Sequence, residues 1–325
     1  MAHATLSHGI NDIISFCESP WGLQDGITPP LLPVQRFILK AYYGLPLDSS
    51  RDPDIRVVEQ FDDNSPRLLN EVDFLEWLLR KGWINTTDLS GRRRELIIPI
   101  GRRGCKDTLI ATIASYELFK LLSYVSPQEH YQILPRDHID LILHSYTKKN
   151  RAMELFTGCV QRSPVLAVHL GTFSAKRLSF RTGQDSKRMA TIGMPNKEGT
   201  IEVSAMPYDS IGARGRNVYF SSFSDSSYYE AHREELAKRA VEVSLTLFRD
   251  PDGTPVGRCV LASDIWPKDN LFYREYRKSL GSDSADLLMI KLPTWIANPT
   301  VSTKFLKEQS SSESFDQEYG AVITD

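Results

Sequence analysis

Seven consecutive residues, Gly101-Arg102-Arg103-Gly104-Cys105-Lys106-Asp107, carry the densest chemistry in this chain. Glycines allow a tight turn and a close approach of backbone to a ligand. Three cations in such a turn can hold an anion, and a helix that opens there adds its unpaired N–H groups and the positive end of its dipole. Before the turn, Glu95 to Ile100 is a short apolar run that reads as a buried strand. After it, Thr108 to about Leu122 reads as a long helix. Strand, glycine-bearing turn and helix is the layout of a phosphate-binding loop. The same pattern also fits a turn that starts a helix and binds nothing. On the residues alone both readings stand. Arg102 and Arg103 likewise either join Lys106 in an anion site or are solvated or paired with acidic neighbours.

Other elements must position that loop. Apolar residues recur at helical spacing over Ile10–Cys17, Leu31–Tyr43 and Val72–Lys81. Pro33 sits near the start of the second helix, where a missing N–H costs little, and Gly44 with Pro46 ends it. Lys148–Val160 and Ser302–Glu308 also read as helices. Ile139–His144, Val218–Phe220 and Arg258–Ser263 read as strands. Strands alternating with helices predict an α/β fold with a mostly parallel sheet and helices on both faces. Leu170–Gly215, rich in Gly, Ser and Thr, reads as strands and loops that elaborate the sheet, with Thr200–Ser204 among the strands.

Composition narrows the chemistry. A net charge of −2 over 325 residues gives no global basic field, so any nucleic-acid contact must come from local clusters. Arg92-Arg93-Arg94 is one such cluster, open to DNA phosphates or to the role of a charged loop. The four cysteines include no CxxC pair, and the seven histidines show no HExxH, so no metal site follows. No GxSxG marks a serine hydrolase. The apolar runs are too short to span a bilayer, and the N-terminus shows no signal-peptide pattern.

Several colinear segments together resemble the large subunit of tailed-phage terminases. Leu32-Pro33-Val34-Gln35-Arg36-Phe37 through Leu45 is similar to that family's opening helix. Gly101-Arg102-Arg103 with Lys106 resembles its arginine-bearing Walker A loop. Asp140–Phe156, including Ser145-Tyr146-Thr147-Lys148, is similar to the strand and helix that follow. Gly212-Ala213-Arg214-Gly215-Arg216 resembles the loop leading into Walker B. Phe272–Tyr276, Pro293-Thr294-Trp295 with Asn298-Pro299-Thr300, and Glu318–Ala321 are similar to segments that close the family's ATPase domain.

The resemblance implies a P-loop NTPase-like fold, with an N-terminal helical segment over residues 1–90 and an ATPase core over 91–325. It implies ATP and Mg²⁺, held by Gln35 as adenine sensor and by Gly101, Arg102, Arg103, Gly104, Lys106 and Thr108. Arg214 is then a candidate arginine sensor and Ser263 a candidate coupling residue. Gln35 and Arg214 also fit exposed surface positions. The family's nuclease domain is expected to be absent, since Asp325 lies about where the ATPase domain gives way to it. Implied partners are double-stranded DNA, a portal protein and a small terminase subunit or other motor subunits, with no membrane. The implied location is the host cytoplasm, transiently at the procapsid portal.

The motif residues depart from the family at each nucleotide-handling step. Cys105 replaces the glycine before the lysine, and Asp107 replaces the Ser or Thr that holds Mg²⁺. Thr108 is one residue late for that task. In Asn217-Val218-Tyr219-Phe220-Ser221-Ser222, Ser221 and Ser222 take the two Walker B acid positions, and a serine hydroxyl neither holds a divalent ion by charge nor acts as a base near pH 7. Asp225 is the next acid, open to the role of a turn or cap residue. The expectation is a packaging-motor component with impaired ATP hydrolysis. Its alternatives are a non-catalytic interaction protein that keeps the fold, or an active NTPase with an atypical site.

Overall fold

The computed structural model describes residues 9–24, 30–50, 52–63, 65–124, 126–134, 137–146, 150–171, 189–193, 200–208, 211–228, 231–266, 270–282 and 284–322. In chain order these form α1 (Ile13–Glu18), α2 (Pro33–Tyr43), β1 (Ile55–Val57), β2 (Arg67–Leu69), α3 (Glu71–Arg80), β3 (Glu95–Pro99), α4 (Lys106–Ser123) and α5 (Pro127–His130). There follow β4 (His138–Ser145), α6 (Arg151–Arg162), α7 (Pro164–Gly171), β5 (Met189–Gly193), β6 (Thr200–Pro207), β7 (Val218–Ser224) and α8 (Ala231–Leu245). The chain continues through β8 (Arg258–Ser263), α9 (Leu271–Ser279), β9 (Leu287–Met289), α10 (Thr294–Ala297), α11 (Thr303–Gln309) and α12 (Phe315–Glu318). The five segments read as strands from the sequence all contain strands, and the fold is mixed α/β with a mostly parallel sheet. Much of Leu170–Gly215 lies outside the described residues. Its described parts include β5 and β6.

The chain divides into two compact units. One comprises Met1–Pro30, Asp107–Ser224 and Tyr229–Cys259. Its strands run in the order β5-β6-β4-β7. β4 is parallel to both β6 and β7, and β5 is antiparallel to β6. A strand paired on both edges and buried on both faces is mainly apolar, and Ile139, Leu141, Ile142 and Leu143 are fully buried. Helix α4 is apolar nearly all round, as a helix enclosed by protein must be. Its one fully buried acid, Glu117, is paired with Lys120 at 2.7 Å and Arg258 at 3.4 Å. Asn150 starts α6 by accepting from the Met153 N–H, while its amide donates to the Leu143 carbonyl. This cap sets the helix three residues later than the sequence periodicity indicates.

The other unit comprises Leu31–Lys106, Asp225–Tyr228 and Val260–Asp325. Its strands run in the order β8-β3-β9, with β3 parallel to β9. Leu96, Ile97 and Ile98 fill the interior. In α2 and α3, Phe37 meets Phe74 edge-on with ring centroids 5.0 Å apart. Lys40 and the Asp48 N–H share the buried Glu71 carboxylate. Two arginines of the Arg92-Arg93-Arg94 cluster have partners in this unit. Arg93 is buried and donates to the carbonyls of Ala285 and Asp88, and Arg94 lies 3.7 Å from Asp286. Arg92 is exposed.

Two buried groups on β4 give the first unit its pH response. Asp140 accepts from Arg216 at 2.9 Å and faces Glu202, its register partner on β6, which lies 3.6 Å from the same arginine. Burial raises the Asp140 carboxyl to about 6, Arg216 opposes this, and Glu202 adds to it. His144 is fully buried, stacked on Phe223 with ring centroids 4.4 Å apart, and burial lowers it to about 4. The raised carboxyl makes folding less favourable as pH rises from about 4 to 6. The lowered imidazole does the reverse, removing stability as pH falls from 6.5 towards 4. Asp140→Asn should therefore raise stability by about 2 kcal/mol at pH 8 and leave it nearly unchanged at pH 4. Urea midpoints across that range measure the difference. A variant less stable than the parent at pH 8 would contradict it.

Candidate nucleotide-binding site

Residues Gly101–Cys105 join β3 to α4 in the second unit, and Lys106 is the first residue of the helix. The turn is braced by the C-terminal segment. The N–H of Gly101 donates to the Leu292 carbonyl, and that of Arg102 to the Glu318 carbonyl. The Thr294 hydroxyl donates to the Arg102 carbonyl and the Asn298 amide to that of Arg103, each at 2.8 Å. A Cβ on Gly101 would overlap the Thr294 hydroxyl and the Tyr319 carbonyl. One on Gly104 would overlap Ile100 and the Gly101 carbonyl. Both glycines are therefore required by close approach. Arg103 and Cys105 carry the left-handed backbone, at φ 63° and 66°. The cysteine does not prevent the positive φ expected of a glycine there; it adopts it, at a cost of about 1 kcal/mol.

The two loop arginines turn to the C-terminal segment. Arg102 pairs with Glu318 at 2.5 Å. The Arg103 guanidinium stacks 4.0 Å from the Phe305 ring. Arg102 thus has an acidic neighbour and Arg103 an aromatic one. Lys106 is left as the cation at the helix start, with a side chain only 14% exposed and its ammonium 2.9 Å from the Asp225 carboxylate.

The carboxylate that meets Lys106 belongs to Asp225, which the sequence leaves open as a turn or cap residue. β7 does not stop at Phe220 but runs to Ser224. Ser221 and Ser222 therefore lie in mid-strand, fully buried, rather than at its end. The first residue beyond the strand is Asp225, at φ 58°, with its N–H bonded to the Ala262 carbonyl. In the first unit, the Asp107 carboxylate accepts from the Ser224 hydroxyl at 2.9 Å. A strand of alternating Phe and Ser is hard to end by apolarity. Extending it through Phe223 would have put its end beside the acid.

The remaining candidates fall in different places. Gln35 is buried at the start of α2, where its side-chain oxygen accepts from the Leu32 N–H at 3.0 Å. It is not an exposed helix residue. Thr108 is half-buried in the first turn of α4, and its carbonyl accepts from the Thr112 hydroxyl. Arg214 is exposed in the turn before β7, whereas Arg216 is the arginine with carboxylate partners. Ser263 ends β8, fully buried, and its hydroxyl accepts from the Ser227 N–H at 3.1 Å. Among the described residues no group of three or more His, Cys, Asp or Glu side chains could hold a metal ion. No described helix is long and apolar enough to cross a membrane.

A mostly parallel α/β fold, with a glycine turn between strand and helix, is the architecture of P-loop-like proteins. Among solved structures the chain is similar to the large terminase of bacteriophage HK97, with a TM-score of 0.51 at 13% identity. That likeness covers 95% of this chain and 53% of the HK97 protein, so the chain spans about half its length. It establishes the shared fold. The Thermus phage P74-26 large terminase ATPase domain gives a TM-score of 0.46 at 17% identity, over 71% of this chain and 88% of that one. The large terminase of a thermophilic bacteriophage, in complex with ADP, gives 0.41 at 12% identity, over 76% of this chain and 52% of that one. No family model and no curated protein matches the chain.

The loop geometry gives two substitutions of opposite sign. Gly101→Ala forces a methyl group against Thr294 and Tyr319 and should cost about 2–3 kcal/mol. Cys105→Gly releases a strained backbone and should stabilise by up to about 1 kcal/mol. Both are read from urea unfolding midpoints. Equal effects of the two substitutions would show that the loop is not held as described.

Proposed function

We propose that this chain is the nucleotide-binding part of a terminase-type viral DNA-packaging motor, one that binds Mg²⁺–nucleotide but hydrolyses it slowly. The observation that carries this reading is the Lys106–Asp225 pair. A lysine opening a helix after a glycine turn meets an acid that directly follows β7 in the chain. In phosphoryl-transfer sites those two groups contact the β- and γ-phosphates and support Mg²⁺.

On this reading Gly101–Lys106 is the phosphate loop and Asp225, not Ser221 or Ser222, takes the metal-supporting position. Mg²⁺ is commonly held by one or two carboxylates with substrate phosphates and water. Asp225, with a side chain 28% exposed and already within reach of Lys106, fits that requirement. When bound, Mg²⁺ supplies charge neutralisation on the phosphates. Lys106 neutralises a phosphate oxygen once Asp225 turns to the metal. The chain neighbour of Lys106 is Asp107 rather than a hydroxyl residue, so one further carboxylate stands where the family has a neutral metal ligand.

Impaired turnover rests on the residue after Asp225. Ser226 is fully buried and carries no charge, so no carboxylate follows Asp225 to orient an attacking water. Positioning and electrostatics do nearly all the work in phosphoryl transfer, so loss of that group costs orders of magnitude in rate. The proposed partners are double-stranded DNA, the portal and the small terminase subunit or other motor subunits, with action in the host cytoplasm at the procapsid portal. In such an assembly a slow subunit works beside an active one.

Titration of the purified chain with ATP, with and without Mg²⁺, tests the reading. Saturable Mg²⁺-dependent binding is expected, weakened at least about tenfold by Lys106→Ala, with hydrolysis at background. No binding by the folded chain would favour a non-catalytic interaction protein. Robust turnover lost on Lys106→Ala would show a working NTPase with an atypical site.

A further inference from the structure

Asp264 is an acid the nucleotide reading does not use, and its surroundings are unusual for a charge. It follows β8 and is 1% exposed. Its carboxylate accepts from the Tyr228 hydroxyl at 2.6 Å, the Trp266 indole N–H at 3.2 Å and the Ser263 hydroxyl at 3.2 Å. Among the described residues it forms no ion pair, and these three donors are neutral. Such a site is costly for a charge, and an apolar residue would cost less if only packing mattered.

The same residues fasten the turn that carries Asp225. Ser227 has all three of its polar groups engaged. Its N–H goes to the Ser263 hydroxyl, its own hydroxyl to the Asp264 carbonyl, and its carbonyl accepts from the Asn270 amide. Tyr228, the next residue, donates to the Asp264 carboxylate, and its N–H reaches back to the Asp225 carbonyl. The Trp266 indole also donates to the Tyr228 oxygen, at 3.0 Å. Burial and then the Asp264 carboxylate push the Tyr228 phenol well above its ordinary range, so it remains a donor. Asp225 itself sits in a left-handed conformation that a non-glycine residue holds only when its flanks are fixed.

We propose that Asp264 is a positioning residue: through Ser227 and Tyr228 it holds Asp225 in the left-handed turn that brings its carboxylate to Lys106. The proposal rests on the nucleotide reading only where it concerns ligand affinity. Displacement of Asp225 from Lys106 by an arriving phosphate then pulls on the Tyr228–Asp264–Trp266 bonds, and the Trp266 indole reports it.

The test uses the full chain. Mg·ADP is titrated against the parent, Tyr228→Phe, Asp264→Asn, Asp225→Asn and the double variant Tyr228→Phe/Asp225→Asn. Tyr228→Phe and Asp264→Asn should each weaken binding about fivefold in the parent. Tyr228→Phe should change it less than about twofold once Asp225 is Asn, because it acts through that residue. An undiminished effect in the Asp225→Asn background overturns the proposal. Quenching or enhancement of indole emission on Mg·ADP binding should disappear in Trp266→Phe. If the parent binds no Mg·ADP, the nucleotide reading fails and the positioning role is decided by urea midpoints. Lys106→Met and Asp225→Asn should then be non-additive in the parent and additive in Tyr228→Phe. Equal coupling in both backgrounds overturns it.

Discussion

Gly101 has no room for a side chain, and the candidate site depends on that. The Thr294 hydroxyl and the Tyr319 carbonyl press against it, so the turn leaving β3 is locked to the C-terminal segment. Once that contact is made, the Arg102 and Arg103 carbonyls fall to Thr294 and Asn298. The arginine side chains fall to Glu318 and Phe305. The chain then reverses through two left-handed residues and delivers Lys106 as the first residue of α4. A residue with a Cβ at position 101 would move every one of these contacts.

The lysine that emerges has a charge to satisfy in a largely buried place. Asp225 does so, and the energy of the pair is shared between Coulomb attraction and the partial burial of both ends. That makes the pair a competitor for any phosphate. An anion arriving alone must displace a carboxylate already in contact, whereas a nucleotide bringing Mg²⁺ offers that carboxylate a new partner. On the proposed reading, Mg²⁺ dependence would follow from this ion pair itself.

The strand–turn–helix unit was legible because the apolar pattern changes from the continuous run Glu95–Ile100 to helical spacing after Lys106, with glycines between. Those are local signals. The end of β7 was not legible in the same way. Ser221, Ser222 and Ser224 are small enough to be buried in a strand and polar enough to look like its end, so the strand's end was set four residues early. The pairing of Arg102 with Glu318 joins residues 216 apart in the chain, and no spacing rule reaches that far. Nothing local in the sequence singles out Asp264. Its meaning is visible only once Tyr228 and Trp266 are seen to converge on it.

On the proposed reading, moving the metal-supporting acid from Ser221 to Asp225 changes what the substitutions do. With serines at both Walker B positions, metal support and water activation would be lost together, and nucleotide binding would have little reason to persist. With Asp225 at the strand end and the uncharged, buried Ser226 after it, the two functions separate. On that reading a group able to support Mg²⁺ stays, and one that would orient water is missing. The loop is consistent with this division. Cys105 takes the left-handed conformation that glycine would have taken, so the backbone path to Lys106 is preserved at a modest cost in strain. A chain that had lost all use for the loop would gain stability by relaxing both strained residues. Instead Arg103 and Cys105 remain strained, and the contacts from Thr294, Asn298 and Phe305 that hold them there are all in place. The arrangement fits a subunit whose loop still has a ligand to meet and whose chemistry is left to another.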